Sequence, residues 1–371
     1  MWRRWTGRHP TGIDRVCLAY LSRYAGEANA VIQHRRLRRI FDAKSSAALF
    51  ALLSDPAPAF KRQLASRIVR SAVTSGEAGN GRIYLNIGHT GLDDQGFRDW
   101  LRQTDVRPVY LVHDLIPITH PEFCRAGERE RHQARMDTIL GTAAGVIGNS
   151  QATLDSLADY ARDTGQAEPP AIAAWLGATP LPGRGTPAAT PSHPTFVILG
   201  TIEARKNHLT LLHVWTRLAE RLRHAAPKLL IIGQRGWECE QAVDMMERSE
   251  TLRGSIVEAG RCSDDELARH LAGARALLFP SLAEGFGLPL VEALQSGTPV
   301  IASDLPVFRE IGQGIPDLLD PIDGPAWERA ILAYAEADSA PRSAQLKRMA
   351  GYRAPTWDEH FSKVDAWLAA L

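Results

Sequence analysis

Short apolar runs alternate with longer segments of helical period along most of this chain. RIYLNIG (82–88), RPVYLVHD (107–114), AAGVIGNS (143–150) and PAIAAWLG (170–177) have the length and continuous apolar character of buried strands. The stretch that follows, ATPLPGRGTPAATPSHPT, is rich in Pro, Gly and Thr and breaks the pattern. The alternation then restarts with FVILGTI, KLLIIG, SIVEAG, ALLFPS and PVIASD. Strands that are apolar on both faces and separated by helices predict parallel sheets covered on both sides. The fold class is therefore α/β, with two Rossmann-like domains and ligands at the carboxyl ends of their strands. The predicted limits are residues 1–178 for an N-terminal domain, 179–194 for a linker, 195–355 for a C-terminal domain and 356–371 for a last helix.

That last segment, TWDEHFSKVDAWLAAL, places Trp357, Phe361, Val364 and Leu368 on one helical stripe, which predicts packing on an apolar surface. The front end is irregular. A Rossmann half begins with a buried strand and residues 1–11 contain none, so the expectation is that this strand is missing or the start displaced.

Length supports the division, since 371 residues exceed one ordinary core and suit two domains with a cleft between them. Composition is that of a globular protein, 44% hydrophobic and 23% charged with a formal net charge of +1, and it does not suggest nucleic-acid binding. Charge is unevenly distributed: residues 1–180 hold 23 Lys/Arg against 18 Asp/Glu. Arg3, Arg4, Arg8 and the run HRRLRR (34–39) make the first half basic, which reads either as a solvated face or as a surface for anionic lipid headgroups. Cys17, Cys124, Cys239 and Cys262 are too scattered for a disulfide framework or a metal pair. With no signal peptide and no long apolar span, the expectation is a cytoplasmic protein, with peripheral contact at the inner membrane face as an option.

The chemistry concentrates in LLFPSLAEGFGLPLVEALQSG. A strand ends near Pro280, a loop follows, and Pro289 suits the first turn of a helix whose free amides favour a diphosphate. Gly285 and Gly287 permit close approach. Glu284 and Glu292 are eight residues apart, so the reversal lets two carboxylates accept hydrogen bonds from hydroxyls at different parts of one sugar nucleotide. An ordinary helix start with a dipole-favoured Glu292 remains the plainer alternative. FVILGTIEARKNHLTLL brings Arg205 and Lys206 to a strand's carboxyl end, where two cations suit a leaving diphosphate. RPVYLVHDLIPITHPEF does the same for His113 and Asp114, and HPTGIDRV sets Gly12 at a turn before a helix. GEAGNG (76–81) precedes its strand and reads as a loop.

With these motifs in order, the chain resembles the family 4 glycosyltransferases, which are retaining enzymes of GT-B fold. The resemblance covers nearly the whole length. It rests on the E-x7-E pair Glu284 and Glu292, on GTIEARKN, IIGQRGWE, GTPVIASDLPVFREI and VHDLIPITHPE. It implies two Rossmann-like domains facing across a cleft and a last helix crossing back to the N-terminal domain. By resemblance, Glu284 binds the donor sugar's hydroxyls and the Gly285, Phe286, Gly287 and Leu288 loop offers amides. Glu292 holds the ribose, Arg205 and Lys206 neutralise the diphosphate, and Arg261 and Cys262 border the base. His113 approaches the donor sugar, and Gly12 and Asp114 serve the acceptor. Thr201 replaces an arginine common at this donor position, and Ala204 a proline.

The implied reaction is transfer of a hexose, mannose from GDP-mannose as the first choice, to a glycan or lipid-linked oligosaccharide hydroxyl in polysaccharide or lipopolysaccharide assembly. No metal or other cofactor is expected. Rival readings are another GT-B enzyme, an epimerase or phosphorylase, or a degenerate binding subunit.

Overall fold

The computed structural model describes residues 12–34, 37–55, 59–73, 77–182 and 193–371. It divides into two compact units, Met1–Leu176 with Trp357–Leu371, and Gly177–Thr356. The question of an opening strand, Arg3, Arg4 and Arg8, and most of the expected linker lie outside the described residues.

In the first unit β1 (Val31–His34) and β2 (Leu37–Ile40) form an antiparallel pair. A separate parallel sheet follows in sequence order: β3 (Ile83–Asn86), β4 (Arg107–Val112), β5 (Gly145–Gly148) and β6 (Ala171–Ala173). Val109 to Val112 are fully buried, as a strand covered on both faces requires. Tyr110, Val146, Phe97, Met136 and Ile139 belong to its core. The antiparallel pair was not expected, because VIQH and LRRI lack a continuous apolar run. Within HRRLRR, Arg35 and Arg36 lie outside the described residues, and Arg38 departs from a solvated basic face: its side chain is 5% exposed and pairs with Asp94 at 2.7 Å.

The last helix, Trp357–Ala370, belongs to this unit. Its buried residues are His360, Phe361 and Val364, with Trp357 and Leu368 half-buried, so the expected stripe is packed and a polar residue, His360, joins it. His360 Nδ1 donates to the Trp175 carbonyl at 2.9 Å, leaving Nε2 to accept from the Tyr20 hydroxyl at 2.8 Å. Asp365 adds bonds from Tyr24 and Arg23.

The second unit holds β7 (Thr195–Leu199), β8 (Lys228–Ile232), β9 (Ile256–Gly260), β10 (Leu277–Phe279), β11 (Val300–Ser303) and β12 (Asp317–Leu319). All pair in parallel in the order β12-β11-β10-β7-β8-β9. This is the doubly wound order, with its reversal between β7 and β10. Trp215, Trp327, Leu218 and Leu278 anchor the core. β7 and β8 converge at their ends so closely that a Cβ on Gly233 would sit 1.8 Å from the Gly200 carbonyl oxygen, which only glycine permits. No helix among the described residues is long and apolar enough to cross a membrane.

Candidate active site

Where strand order reverses, the connections leaving two adjacent strands turn to opposite sides and open a crevice at the sheet's carboxyl edge. In the second unit those are the loops after β7 and β10, and every residue singled out in LLFPSLAEGFGLPLVEAL or GTIEARKN lies on them or just beyond.

The two loops are tied together. Leu282 N donates to the Arg205 carbonyl at 2.9 Å, and Asn207 Nδ2 donates to the carbonyls of Pro280 at 3.1 Å and Pro321 at 2.9 Å. Asn207 sits in the left-handed region at φ 56°, which asparagine tolerates better than most residues. It ends a 3-10 turn, Ala204–Lys206, and precedes helix His208–Leu222, so both cations are carried by a short constrained turn.

Glu284 is the centre of the site. Its Oε1 accepts from Ser281 Oγ at 2.7 Å and from Lys206 Nζ, and its Oε2 pairs with Arg205 Nη1 at 2.9 Å. Arg205 also donates to the Ala283 carbonyl and to Glu203, each at 2.7 Å. Side-chain exposure is 9% for Glu284, 12% for Lys206 and 20% for Arg205, so these charges meet largely out of water. Burial alone raises a carboxyl's pKa, but Lys206 and Arg205 outweigh it and hold Glu284 down at about 2. For Lys206 the balance runs the other way: burial pulls its pKa down by more than Glu284 restores. The two shifts differ in what they imply for the pair, and the geometry decides for the charged form, since the ammonium bonds the carboxylate and lies 5.1 Å from the Phe279 ring centre.

Helix Leu288–Gln295 begins immediately after this loop, with Pro289 in its first turn. Glu292 is 6% exposed and lies beyond that turn, so a favourable dipole position does not account for it. Gly285 and Leu288 are half-buried, and Phe286 is buried. Gly287 has φ 102°, and a Cβ there would stand 2.6 Å from Phe308 Cε1. Phe308 itself stacks on Phe279 at 4.8 Å. Gly287→Ala is therefore expected to cost ~1–3 kcal/mol of strain and to lower the thermal midpoint. An unchanged midpoint would show that the loop tolerates a side chain.

Thr201 follows Gly200 at the end of β7. Next to it, Ile202 N donates to the Gln234 carbonyl and Gly236 N to the Ile202 carbonyl, each at 2.9 Å, which clamps the loops after β7 and β8. Arg261 Nη2 donates to Gln234 Oε1 at 2.5 Å, so the loop after β9 joins the same edge. The half-buried Cys262 thiol is pushed up by burial, then by Glu266 and Asp264, and is a poor nucleophile.

In the first unit, His113 and Asp114 follow β4. His113 Nε2 donates to the Ile87 carbonyl at 2.7 Å, and burial pushes the ring's pKa down, so the neutral form keeps its proton on Nε2 and leaves Nδ1 as an acceptor. His89 and His132 extend it into a cluster, with ring centres 5.4 Å from His89 to His113 and 5.8 Å from His89 to His132. Asp114 Oδ1 accepts from Ile116 N at 3.0 Å, a local turn bond. Gly12 is the exposed first residue of helix Gly12–Tyr24.

Sequence reasoning missed Ser281, Glu203, Asn207, His89 and His132. Ser281 precedes Glu284 by three residues and Glu203 precedes Arg205 by two, so both were legible as local partners; the others depend on the strand order. It also missed His208, which is 3% exposed with neither ring nitrogen partnered among the described residues. Among those residues no three His, Cys, Asp or Glu side chains are grouped to hold a metal ion.

Comparison with known proteins bears on the family and the fold. Residues 193–336 match the family described as Glycosyl transferases group 1. The chain is 30% identical over 238 residues to the serotype-specific mannosyltransferase WbdA of Escherichia coli, an alignment covering 58% of this chain and 28% of that protein. It is 34% identical over 160 residues to the O-antigen chain mannosyltransferase B of Escherichia coli, covering 43% of this chain and 42% of that one. The aligned stretches thus span less than half of these curated relatives. Among solved structures, Anabaena Alr3699/HepE in complex with UDP and glucose superposes with a TM-score of 0.70 over 98% of this chain and 97% of that one, at 15% identity. Residues 193–336, with the loops of β7 and β10 at their centre, are a glycosyl transferases group 1 domain in a chain of GT-B fold.

Proposed function

We propose that the protein is a retaining, metal-independent family 4 glycosyltransferase. It moves mannose from GDP-mannose to a hydroxyl of a glycan or lipid-linked oligosaccharide during polysaccharide assembly in the cytoplasm, at the inner membrane face when the acceptor is lipid-linked. The observation that carries this reading is the Arg205–Lys206–Glu284 grouping at the switch point. The choice of sugar and of polysaccharide is supported by the two relatives, both described as mannosyltransferases.

The chemistry follows from charge. As the bond from the sugar's anomeric carbon to the diphosphate oxygen breaks, negative charge grows on the leaving group. Lys206, Arg205 and the amides opening helix Leu288–Gln295 are fixed donors for it. Glu284 binds sugar hydroxyls while keeping the two cations in register. Glu292 accepts from the ribose. Neutral His113, in the first unit, offers Nδ1 as a hydroxyl acceptor. The acceptor oxygen bonds the anomeric carbon on the face the leaving group vacates, and its proton passes to the departing phosphate oxygen, so configuration is kept without a covalent enzyme intermediate.

The test is nucleotide release from GDP-, UDP- and dTDP-sugars, with and without chelator, and NMR of the transferred anomer. Release from GDP-mannose that is indifferent to chelator, with an α-linked product, is expected. Release only from another donor would overturn the sugar; loss with chelator would overturn metal independence; an inverted product would overturn the retaining course.

A further inference from the structure

The first unit contains a polar cavity of about 790 Å³ that shares no residue with the loops of the second unit. One wall is β2, through Arg38 and Arg39. The other is helix Gly96–Thr104, which presents Gly96, Asp99, Trp100 and Gln103, the i, i+3, i+4, i+7 face of a single helix. Asp94 and Gln95 close the end at the helix's start. The volume is that of a small-molecule site.

Its chemistry is balanced rather than charged. Arg38 pairs with Asp94, and Asp99 accepts from Arg102 at 2.5 Å. Arg38 Nε and Arg39 Nε are buried donors with no hydrogen-bond partner among the described residues. The guanidinium of Arg38 is held over the Phe97 ring at 5.6 Å, which fixes the direction of its remaining N–H groups. An anionic ligand would meet Asp94 and Asp99. A nucleobase would need an aromatic face, and the Trp100 ring is engaged by Phe97 and Tyr84. Hydroxyl groups accept and donate at once, as this lining of arginine donors, carboxylate acceptors and the two-way amides of Gln95 and Gln103 requires.

We propose that this pocket is a carbohydrate-binding site that holds a neutral saccharide chain without reacting on it. The Arg205–Lys206–Glu284 grouping assigned to the transferase lies on other loops, in the second unit. The proposal rests on the transferase reading only for why a glycan would be present. Asp94 and Gly96 belong to the connection that leaves the carboxyl end of β3.

The experiment is calorimetric titration of the full chain with α-linked mannotriose and, separately, with an oligogalacturonate of equal length. It uses wild type, Arg39→Ala, Gln103→Ala and Glu284→Gln, with GDP binding and thermal midpoints measured in parallel. The expected result is mannotriose binding that falls at least tenfold in Arg39→Ala and Gln103→Ala, persists in Glu284→Gln, and exceeds oligogalacturonate binding. Gln103 is exposed, so its variant tests the site without risk to folding. No mannotriose binding, binding in the two pocket variants equal to that of wild type, or a preference for the acidic chain would overturn the proposal. GDP binding without mannotriose binding sinks the pocket alone. Mannotriose binding that depends on Arg39, without binding of any nucleotide, sinks the transferase reading alone.

Discussion

Lys206→Ala is expected to lower the rate of donor turnover by ~10²–10³, the usual effect of removing one fixed donor from developing charge in a dry site, while leaving the unfolding midpoint nearly unchanged. The two effects separate because Glu284 keeps two partners in that variant, Arg205 at 2.9 Å and Ser281 at 2.7 Å. Glu284→Ala should behave differently. It leaves two cations side by side in a largely buried site, and breaking such a pair from one end destabilises by ~3–5 kcal/mol. It also removes the group proposed to hold the sugar. Combining Glu284→Leu with Lys206→Met should recover stability relative to Glu284→Leu alone, since one of the stranded cations is gone, but recover no turnover. The checks are single-turnover nucleotide release and thermal unfolding on wild type and the four variants. Turnover in Lys206→Ala equal to wild type would remove the lysine from the mechanism, and a Glu284→Ala midpoint equal to wild type would show that the pair is solvated.

The second large effect is with pH. Burial, then the neighbouring Lys206 charge, pushes His208 down to about 4. A histidine whose folded pKa lies below its unfolded value binds fewer protons folded than unfolded. It therefore leaves stability untouched above pH 6.5 and removes it as pH falls from 6.5 toward 4. At ~1.4 kcal/mol per pH unit for one proton, this residue accounts for about 3 kcal/mol by pH 4. His89, His113 and His132 are also pushed down by burial and add to the loss in the same direction. Of the charges around that cluster, Asp114 and Glu128 favour the protonated rings, while Arg135 opposes them. Glu284 works the same way in a lower window, its contribution fading only between its ordinary 4.5 and about 2. Urea midpoints should thus fall steadily from pH 7 to pH 5, before carboxylates are involved. His208→Leu, which also removes two unpartnered ring nitrogens, should flatten part of that slope and be at least as stable as wild type at pH 5. A midpoint independent of pH between 7 and 5 would mean that these rings titrate normally.

The alternation of apolar runs was enough to predict two α/β units, because a strand without a polar face has to be covered on both sides. E-x7-E, the arginine-lysine pair and Pro289 likewise announced a strand, a loop and a helix start, since each residue type there has a local backbone reason. β1 and β2 escaped notice because VIQH and LRRI have neither a continuous apolar run nor a strict alternation, and β12 because three residues carry no period.

The sequence by itself determined the class of fold, the order of its strands along the chain and the residue types available for charge chemistry; these follow from local period, turn residues and side-chain identity. Only the tertiary structure decided who meets whom. Lys206 and Glu284 are 78 residues apart and become partners because β10 pairs with β7 rather than with β9, its predecessor in the chain. His360 joins the buried stripe of the last helix because Trp175 and Tyr20 satisfy both its ring nitrogens. Arg38 turns inward because Asp94 is there to receive it. In each case the deciding energy is desolvation of a polar group, whose cost depends on a partner that helical or strand period cannot name.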